Sequence, residues 1–388
     1  MKLLGRFCYT LIFCFSFLIS FSQTDTCHLR ISLLTCGPGN ELYSTFGHTA
    51  IRIIDSSNKL DVVFNYGIFD DSDPYFYIKF ARGIMRYQVA GEYFKDFMEE
   101  YVEDKRSVAE QELQLSCTEK INLLNALKEN SRDDKKYYDY QFYKDNCTIR
   151  AKDMIKKSTD QSIIFKNILP AKAPPSFRQL IHDYLDNGNH SWSKFGIDLL
   201  LGSHLDDVAT NEQAMFLPDY LMKGFDSATI HQQKLVSDKK IILSSGTKKA
   251  ESFSWLSPFF IFSLVAIVII LLSFNNSAST KKILNAFDIV FFFFIGLLGI
   301  LIAFEWLGRV DEVCRNNMNI LWAWPTHVVA AFLINKKTKF IKNYFRFAAL
   351  IALILLIGWF WWHQQFNNSF APLLVLIIVR GFFISTKK

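Results

Sequence analysis

No glycine-rich loop in these 388 residues leads into a Lys-Ser or Lys-Thr pair and a helix. Gly37-Pro38-Gly39 comes nearest and lacks both, which speaks against a phosphate-cradling nucleotide site. Histidines are few and badly spaced for a metal: His182, His190 and His204 have no tight ligand spacing, and His28 and His231 stand alone. A basic stripe is also missing. The formal charge is +6, yet Lys and Asp/Glu are interleaved over the first 250 residues, and the later basic residues sit at the ends of apolar runs. That pattern excludes nucleic acid as the expected partner. Neither an internal repeat nor a low-complexity tract occurs, so solenoid and fibrous architectures drop out.

What the chain has is a division into two compositions. It is mixed polar up to about residue 250 and strongly apolar afterwards, which reads as one soluble domain and one membrane domain. At the start, Lys2 and Arg6 precede an apolar run over 7–21 and the small-x-small site Ser20-Phe21-Ser22. Residues 1–22 therefore read as a secretory signal peptide, with an uncleaved anchor as the alternative. Cys14 lies inside the apolar run after bulky Phe13, which does not suit a lipid-modified cysteine. Residues 23–250 are then an exported domain and 251–388 a membrane domain.

Five apolar segments follow: 254–274, 284–305, 320–334, 347–362 and 370–385, the third and fourth short for spans. If residue 250 is outside, the inner loops hold Lys281, Lys282, Lys336, Lys337, Lys339, Lys342, Arg346, Lys387 and Lys388. The outer loops hold only Arg309 and Arg315, offset by Asp311 and Glu312. This bias sets a multi-pass protein in the cytoplasmic membrane with the exported domain on the far side. Glu305, His327 and Arg380 lie in or near apolar segments, where ionisable residues are functional candidates by default. Arg380 is close enough to the C-terminus to snorkel, and Pro325 beside His327 would kink the third span and open a cavity for a lipid.

In the exported domain, residues 30–35, 49–54, 60–66, 83–89 and 107–115 read as strands and 119–130 and 147–157 as helices. Residues 160–250 read as helices and loops ending in a polar linker over 244–252. The expected class is α+β. Once Cys8 and Cys14 leave with the signal, Cys27, Cys36, Cys117 and Cys147 share an oxidising compartment. Either two disulfides form, or one forms among the first three and Cys147 stays free; counting leaves both open.

Cys147 falls in the first turn of a predicted helix behind Asn146, a residue type that suits an N-cap. Helix-end N–H groups lower a thiol's pKa and can hold an oxyanion, a role also open to the Asn146 amide. His48 opens a predicted strand after Phe46-Gly47. A helix-borne thiol facing a strand-borne imidazole is a nucleophile–base pair suited to acyl transfer. Taken singly, each has a plainer reading: a disulfide or buried cysteine, and a structural histidine. Asn65, at the end of the neighbouring strand, carries an amide that could orient the imidazole or simply bond backbone.

Several blocks carry a resemblance. Cys36-Gly37-Pro38-Gly39, Tyr43-Ser44-Thr45-Phe46-Gly47-His48-Thr49-Ala50-Ile51-Arg52-Ile53, Asn65-Tyr66-Gly67, residues 83–87 and 137–140, and Asp145-Asn146-Cys147-Thr148 are similar to the Lnb N-terminal periplasmic domain. Residues 196–202 and 215–221 are similar to its later blocks, and 319–323 with Pro325 and His327 to the membrane part of full-length members. The resemblance implies a lipoprotein N-acyltransferase of Gram-negative inner membranes. It implies an α+β papain-like (permuted NlpC/P60-like) periplasmic domain, followed by an all-α bundle of five transmembrane helices. It places catalytic roles on Cys147 and His48, with a membrane phospholipid as acyl donor and diacylglyceryl lipoproteins as acceptor. No metal or cofactor is required. The outer loop Arg309-Val310-Asp311-Glu312-Val313-Cys314 lacks a histidine expected there. The same pair would also serve a cysteine peptidase or amidase acting on cell-wall peptide in a hydrophilic cleft. With Cys147 in a disulfide, the domain would instead be a non-catalytic envelope scaffold.

Overall fold

The computed structural model describes residues 27–69, 75–245 and 254–387. The expected signal segment and most of the polar linker over 244–252 lie outside the described residues. The first half is built on strands β1 (Leu29–Cys36), β2 (His48–Asp55) and β3 (Leu60–Phe69), helix α1 (Phe76–Ala81), β4 (Arg86–Tyr93), α2 (Phe94–Glu103), β5 (Val108–Leu113), α3 (Cys117–Asn130), β6 (Tyr137–Asp139) and α4 (Cys147–Lys157). Then come α5 (Phe177–Asn187), α6 (Ser191–Leu200), α7 (Asn211–Ala214), α8 (Pro218–Ser227), the short β7 (Thr229–Ile230) and β8 (Gln233–Lys234), and β9 (Val236–Leu243). β7 and β8 pair with each other apart from the main sheet; the remaining strands make a sheet in the order β6-β4-β3-β2-β1-β5-β9, with antiparallel neighbours throughout.

β1 and β2 are buried on both faces, which carry most of their apolar side chains. Ile31, Leu33, Ile51, Ile53, Phe64 and Tyr66 pack under α3 and α4. Leu34, Cys36, Ala50 and Val63 pack on Phe97 and Tyr101 of α2. Each fully buried Leu, Ile, Val or Phe among these contributes about 1.5–3 kcal/mol of apolar transfer, so the strand ends are held firmly enough to aim side chains. Cys27 and Cys117 form a disulfide that ties the start of β1 to the start of α3, where a Ser116/Glu119 capping box begins the helix. Cys36, Cys147 and Cys314 are free. The segment after residue 160 departs from its reading as helices and loops: β9 is an edge strand on β5. Its sequence, Val-Ser-Asp-Lys-Lys-Ile-Ile-Leu, carries charges because it is solvent-exposed over most of its length.

The second half is helical: α9 (Pro258–Ser273), α10 (Ala278–Gly308), α11 (His327–Leu333), α12 (Lys339–Ile357) and α13 (Phe370–Thr386). Among the described residues, α10 and α12 are long and apolar enough to cross a membrane; the other three are shorter apolar helices. The third apolar segment is not one helix. A 3₁₀ turn over Met318–Leu321 precedes α11, since Pro325 interrupts the backbone bonding between them. The fourth starts earlier than its apolar run, at a Thr338 cap, and stops at Gly358. Arg380 does not snorkel. It is buried and pairs in bidentate fashion with Asp288 of α10 at 2.7 and 2.9 Å while donating to Ser273 of α9, so it joins three helices. Glu305 pairs with Arg309, and His327 is buried, bonded to the Tyr344 hydroxyl at 2.9 Å and stacked on Trp324.

A polar network seats the sheet domain on these helices. Asp198 of α6, fully buried, accepts from Arg178 of α5 at 2.8 Å and from Asn367 in the loop before α13 at 2.8 Å, and shares a 2.8 Å hydrogen bond with His182. Arg178 also binds Asp206. Asn317 and Asn319 donate to the carbonyls of Asp198, Leu199 and Leu200, closing the end of α6. Gly202 donates to the Val313 carbonyl at 2.9 Å, and a Cβ on it would lie 1.7 Å from the Arg315 oxygen, so only glycine fits.

Candidate functional site

The turn before β2 brings His48 to the end of the sheet. Gly47 there has φ +75, and a Cβ on it would lie 2.6 Å from the Cys36 carbonyl. On the next strand Asn65 pairs with Ala50 in the register, so its side chain shares the face of His48. The Asn65 carbonyl oxygen lies 2.6 Å from His48 Nε2, so it accepts a proton held there. That bond leaves Nδ1 for Cys147, which lies beside the imidazole, the two side chains lining the same face of Gly67. One residue on, β3 bulges between Tyr66 and Ile68. The bulged Gly67 has φ +99, and a Cβ on it would touch Cys147 Cβ and His48 Cε1 at 3.5 Å. Glycine keeps that side of the pair open.

Cys147 is the first residue of α4. The Asn146 side chain accepts from the Ile149 N–H at 2.9 Å, and its carbonyl accepts from Arg150. The N–H groups of Cys147 and Thr148 therefore remain at the positive helix end beside the thiol. The oxyanion role expected for the Asn146 amide is corrected here. That amide already donates to the Phe142 and Phe216 carbonyls at 2.9 Å each, so it fixes the helix start instead.

Burial works against ionisation of Cys147. The His48 charge and hydrogen bond, the Thr49 N–H and the Thr148 hydroxyl outweigh it and bring the thiol down from 9.0 to about 7. Burial likewise disfavours a charged His48, but the charge and hydrogen bond of Cys147, together with Asn65, raise it above 6.5. Both shifts favour the thiolate–imidazolium form near neutral pH. Cys36 is the contrast: fully buried opposite His48 in the register, its thiol is pushed up to about 12, chiefly by burial.

The pair opens into a cavity of about 690 Å³ walled by Phe69, Tyr87, Tyr140, Phe142, Phe216 and Leu217. That volume is within the roughly 300–1,000 Å³ of small-molecule sites. The aromatic wall does not match the hydrophilic cleft of the peptidase reading. A free Cys147 removes the disulfide on which the scaffold reading depended. Glu92 escaped notice in the sequence: its carboxylate accepts from Asn65 Nδ2 at 3.2 Å and so turns the Asn65 oxygen toward His48. Only the register of β3 on β4 brings them together. Among the described residues no group of three or more His, Cys, Asp or Glu is placed to hold a metal.

Asn65→Ala should weaken the support that keeps His48 charged, and with it the thiolate. The pH midpoint of Cys147 alkylation is expected above the native midpoint, and alkylation at pH 7 slower by roughly fivefold for a rise of one pKa unit from about 7. An unchanged alkylation profile would remove Asn65 from the site.

Fold and site define a membrane protein whose sheet-rich domain presents a buried thiol–imidazole pair and is followed by a helical region. Two family models match it: the Lnb N-terminal periplasmic domain over residues 20–182 and the Lnb transmembrane domain over residues 249–388. The chain belongs to the Lnb family, as an inner-membrane protein with a periplasmic region. No curated protein and no solved structure matches it.

Proposed function

We propose that the chain is a lipoprotein N-acyltransferase, working through a Cys147 thioester. The observation that carries this reading is the His48–Cys147 pair at a helix N-terminus inside an aromatic cavity, in a chain that continues into membrane helices. The fold is read as papain-like in the sense that a sheet supplies the base and a helix the nucleophile. The five apolar helices are read as five spans, the three shorter ones completed by their flanking turns.

Nδ1 of His48 takes the thiol proton, and the thiolate attacks an ester carbonyl of a membrane phospholipid. The Cys147 and Thr148 N–H groups face the developing oxyanion. Collapse breaks the C–O bond, the imidazolium returns its proton to the leaving oxygen, and a lysophospholipid departs. The free α-amine of a diacylglyceryl-cysteine lipoprotein then attacks the thioester carbon, His48 accepts the amine proton, and the thiolate leaves with an amide formed. An amine attacks a thioester far more readily than an oxygen ester, which gives the covalent step its value.

The test uses the full-length protein in phospholipid vesicles without acceptor. Intact-mass analysis should find one acyl chain, labile to hydroxylamine, on the Cys147 peptide, with lysophospholipid released in equal amount. Adding a diacylglyceryl lipopeptide should discharge the acyl group onto its amine. Lysophospholipid without any acyl adduct or N-acylated peptide would reduce the protein to a phospholipase.

A further inference from the structure

The sheet has a membrane-facing end, and three connections identify it. Leu243, the last residue of β9 before the chain enters the helical half, pairs with Val108; Val108 pairs with Cys36, and Cys36 with His48. The Val310 N–H, just past the outer end of α10, donates to the Arg82 carbonyl at 3.1 Å, one residue after α1. There Gly83, at φ +72, leaves room for Asp311, whose carboxylate a Cβ would meet at 2.7 Å. On the other side of the same loop, Glu312 lies 3.9 Å from Lys144, two residues from the cavity wall at Phe142. One outer loop therefore touches both segments that frame the cavity.

Exposed large apolar side chains lie on both sides of this contact. Tyr75 and Ile78 are each 63 % exposed around the start of α1; Leu307 and Val310 are 84 % and 56 % exposed where α10 ends; Phe69, 48 % exposed, is itself part of the cavity wall. Large apolar side chains exposed beside the end of a membrane-crossing helix do not face water without a reason. Tyr at such a position also suits the interface, one end apolar and the other wet.

We infer that α1 and the Phe69 edge of the cavity rest in the outer leaflet of the membrane, so that the occupant of this surface is lipid and an acyl chain enters the cavity sideways from the bilayer. This deepens the acyltransferase reading and rests on it for the direction of substrate entry; seating in lipid stands by itself. The opposite end of the strands, the β2–β3 turn at Ser56, is then the part of the sheet farthest from the membrane.

Depth-dependent quenching tests the seating. Full-length protein carrying Cys147→Ser is labelled with bimane at Tyr75→Cys, Ile78→Cys or Ser56→Cys and placed in nanodiscs containing doxyl lipids. Cys36 and Cys314 are buried and stay unlabelled. The labels at 75 and 78 should be quenched several-fold more than the label at 56; equal quenching overturns the inference. With Cys147 intact, the pair Tyr75→Asp and Ile78→Asp should slow acylation from vesicle phospholipid roughly tenfold, a shift of about 1.4 kcal/mol. Acylation by a soluble p-nitrophenyl ester should be unaffected, which also shows that the variant folds. Undiminished acylation from vesicles likewise overturns the inference. A native protein that neither lipid nor soluble ester acylates defeats the acyltransferase reading instead, and the quenching result then decides the seating alone.

Discussion

Cys147→Ser is expected to leave lipoproteins without N-acylation. In cells whose only N-acylating enzyme is this variant, mass spectrometry of lipoprotein N-termini should find the diacylglyceryl form with a free amine. The loss of rate is expected to be on the order of 10⁴-fold or more, as for removal of the nucleophile from other acyl-transfer sites. Serine keeps the size of the group but not its acidity: a hydroxyl is not ionised by an imidazole at neutral pH, while this thiol is poised at about 7. His48→Ala should cost nearly as much, and the two changes together little more than either alone, because the pair acts as one unit. The pH dependence has a fixed sign. Thiolate is lost as pH falls below about 7, so thioester formation falls on the acid side, while the raised His48 keeps its proton there. Full N-acylation by Cys147→Ser would sink the proposal.

How much of this site could be read in advance follows from the kind of information each residue carries. Cys147 and His48 were legible because each lies at an element boundary with a local signature: an Asn cap before one, a Phe-Gly turn before the other. Asn65 was ambiguous, since its role depends on which strand lies beside β2 and in what register. Glu92 was invisible for the same reason, at one further remove. The Asn146 amide was misjudged because nothing local reveals that the Phe216 carbonyl, 70 residues away, has claimed it. Elsewhere the pattern repeats. β9 was read among helices and loops because an exposed edge strand is charged and lacks a clear alternation, and Arg380 looked like a snorkelling residue because its partner is 92 positions away. Periodicity and caps report local structure, while polar partnerships across the fold do not show in it.

Arg178→Ala is expected to be the most destabilising single change outside the site, and the reason concerns how the two halves are held together. The substitution leaves Asp198 and Asp206 without the guanidinium that bridges them. Removing one partner of a buried ion pair typically costs about 3–5 kcal/mol. For a domain of this size that is a fall in the unfolding midpoint of roughly 10 °C, measured on the full chain in detergent. Asn367→Leu removes a charge-assisted bond to the same carboxylate from the membrane side, costing about 1.5–3 kcal/mol, together with the acceptor that Asn367 offers the Ser369 N–H. The informative quantity is the double variant. Arg178 lies in the sheet domain and Asn367 between two apolar helices, yet both bind Asp198, so their effects should depart from additivity by more than about 0.5 kcal/mol. Strict additivity would mean that this carboxylate does not join the halves. Coupling would mean that the helical region fixes where the cavity sits relative to the bilayer, a geometry that an acyl transfer between two lipid-anchored substrates requires.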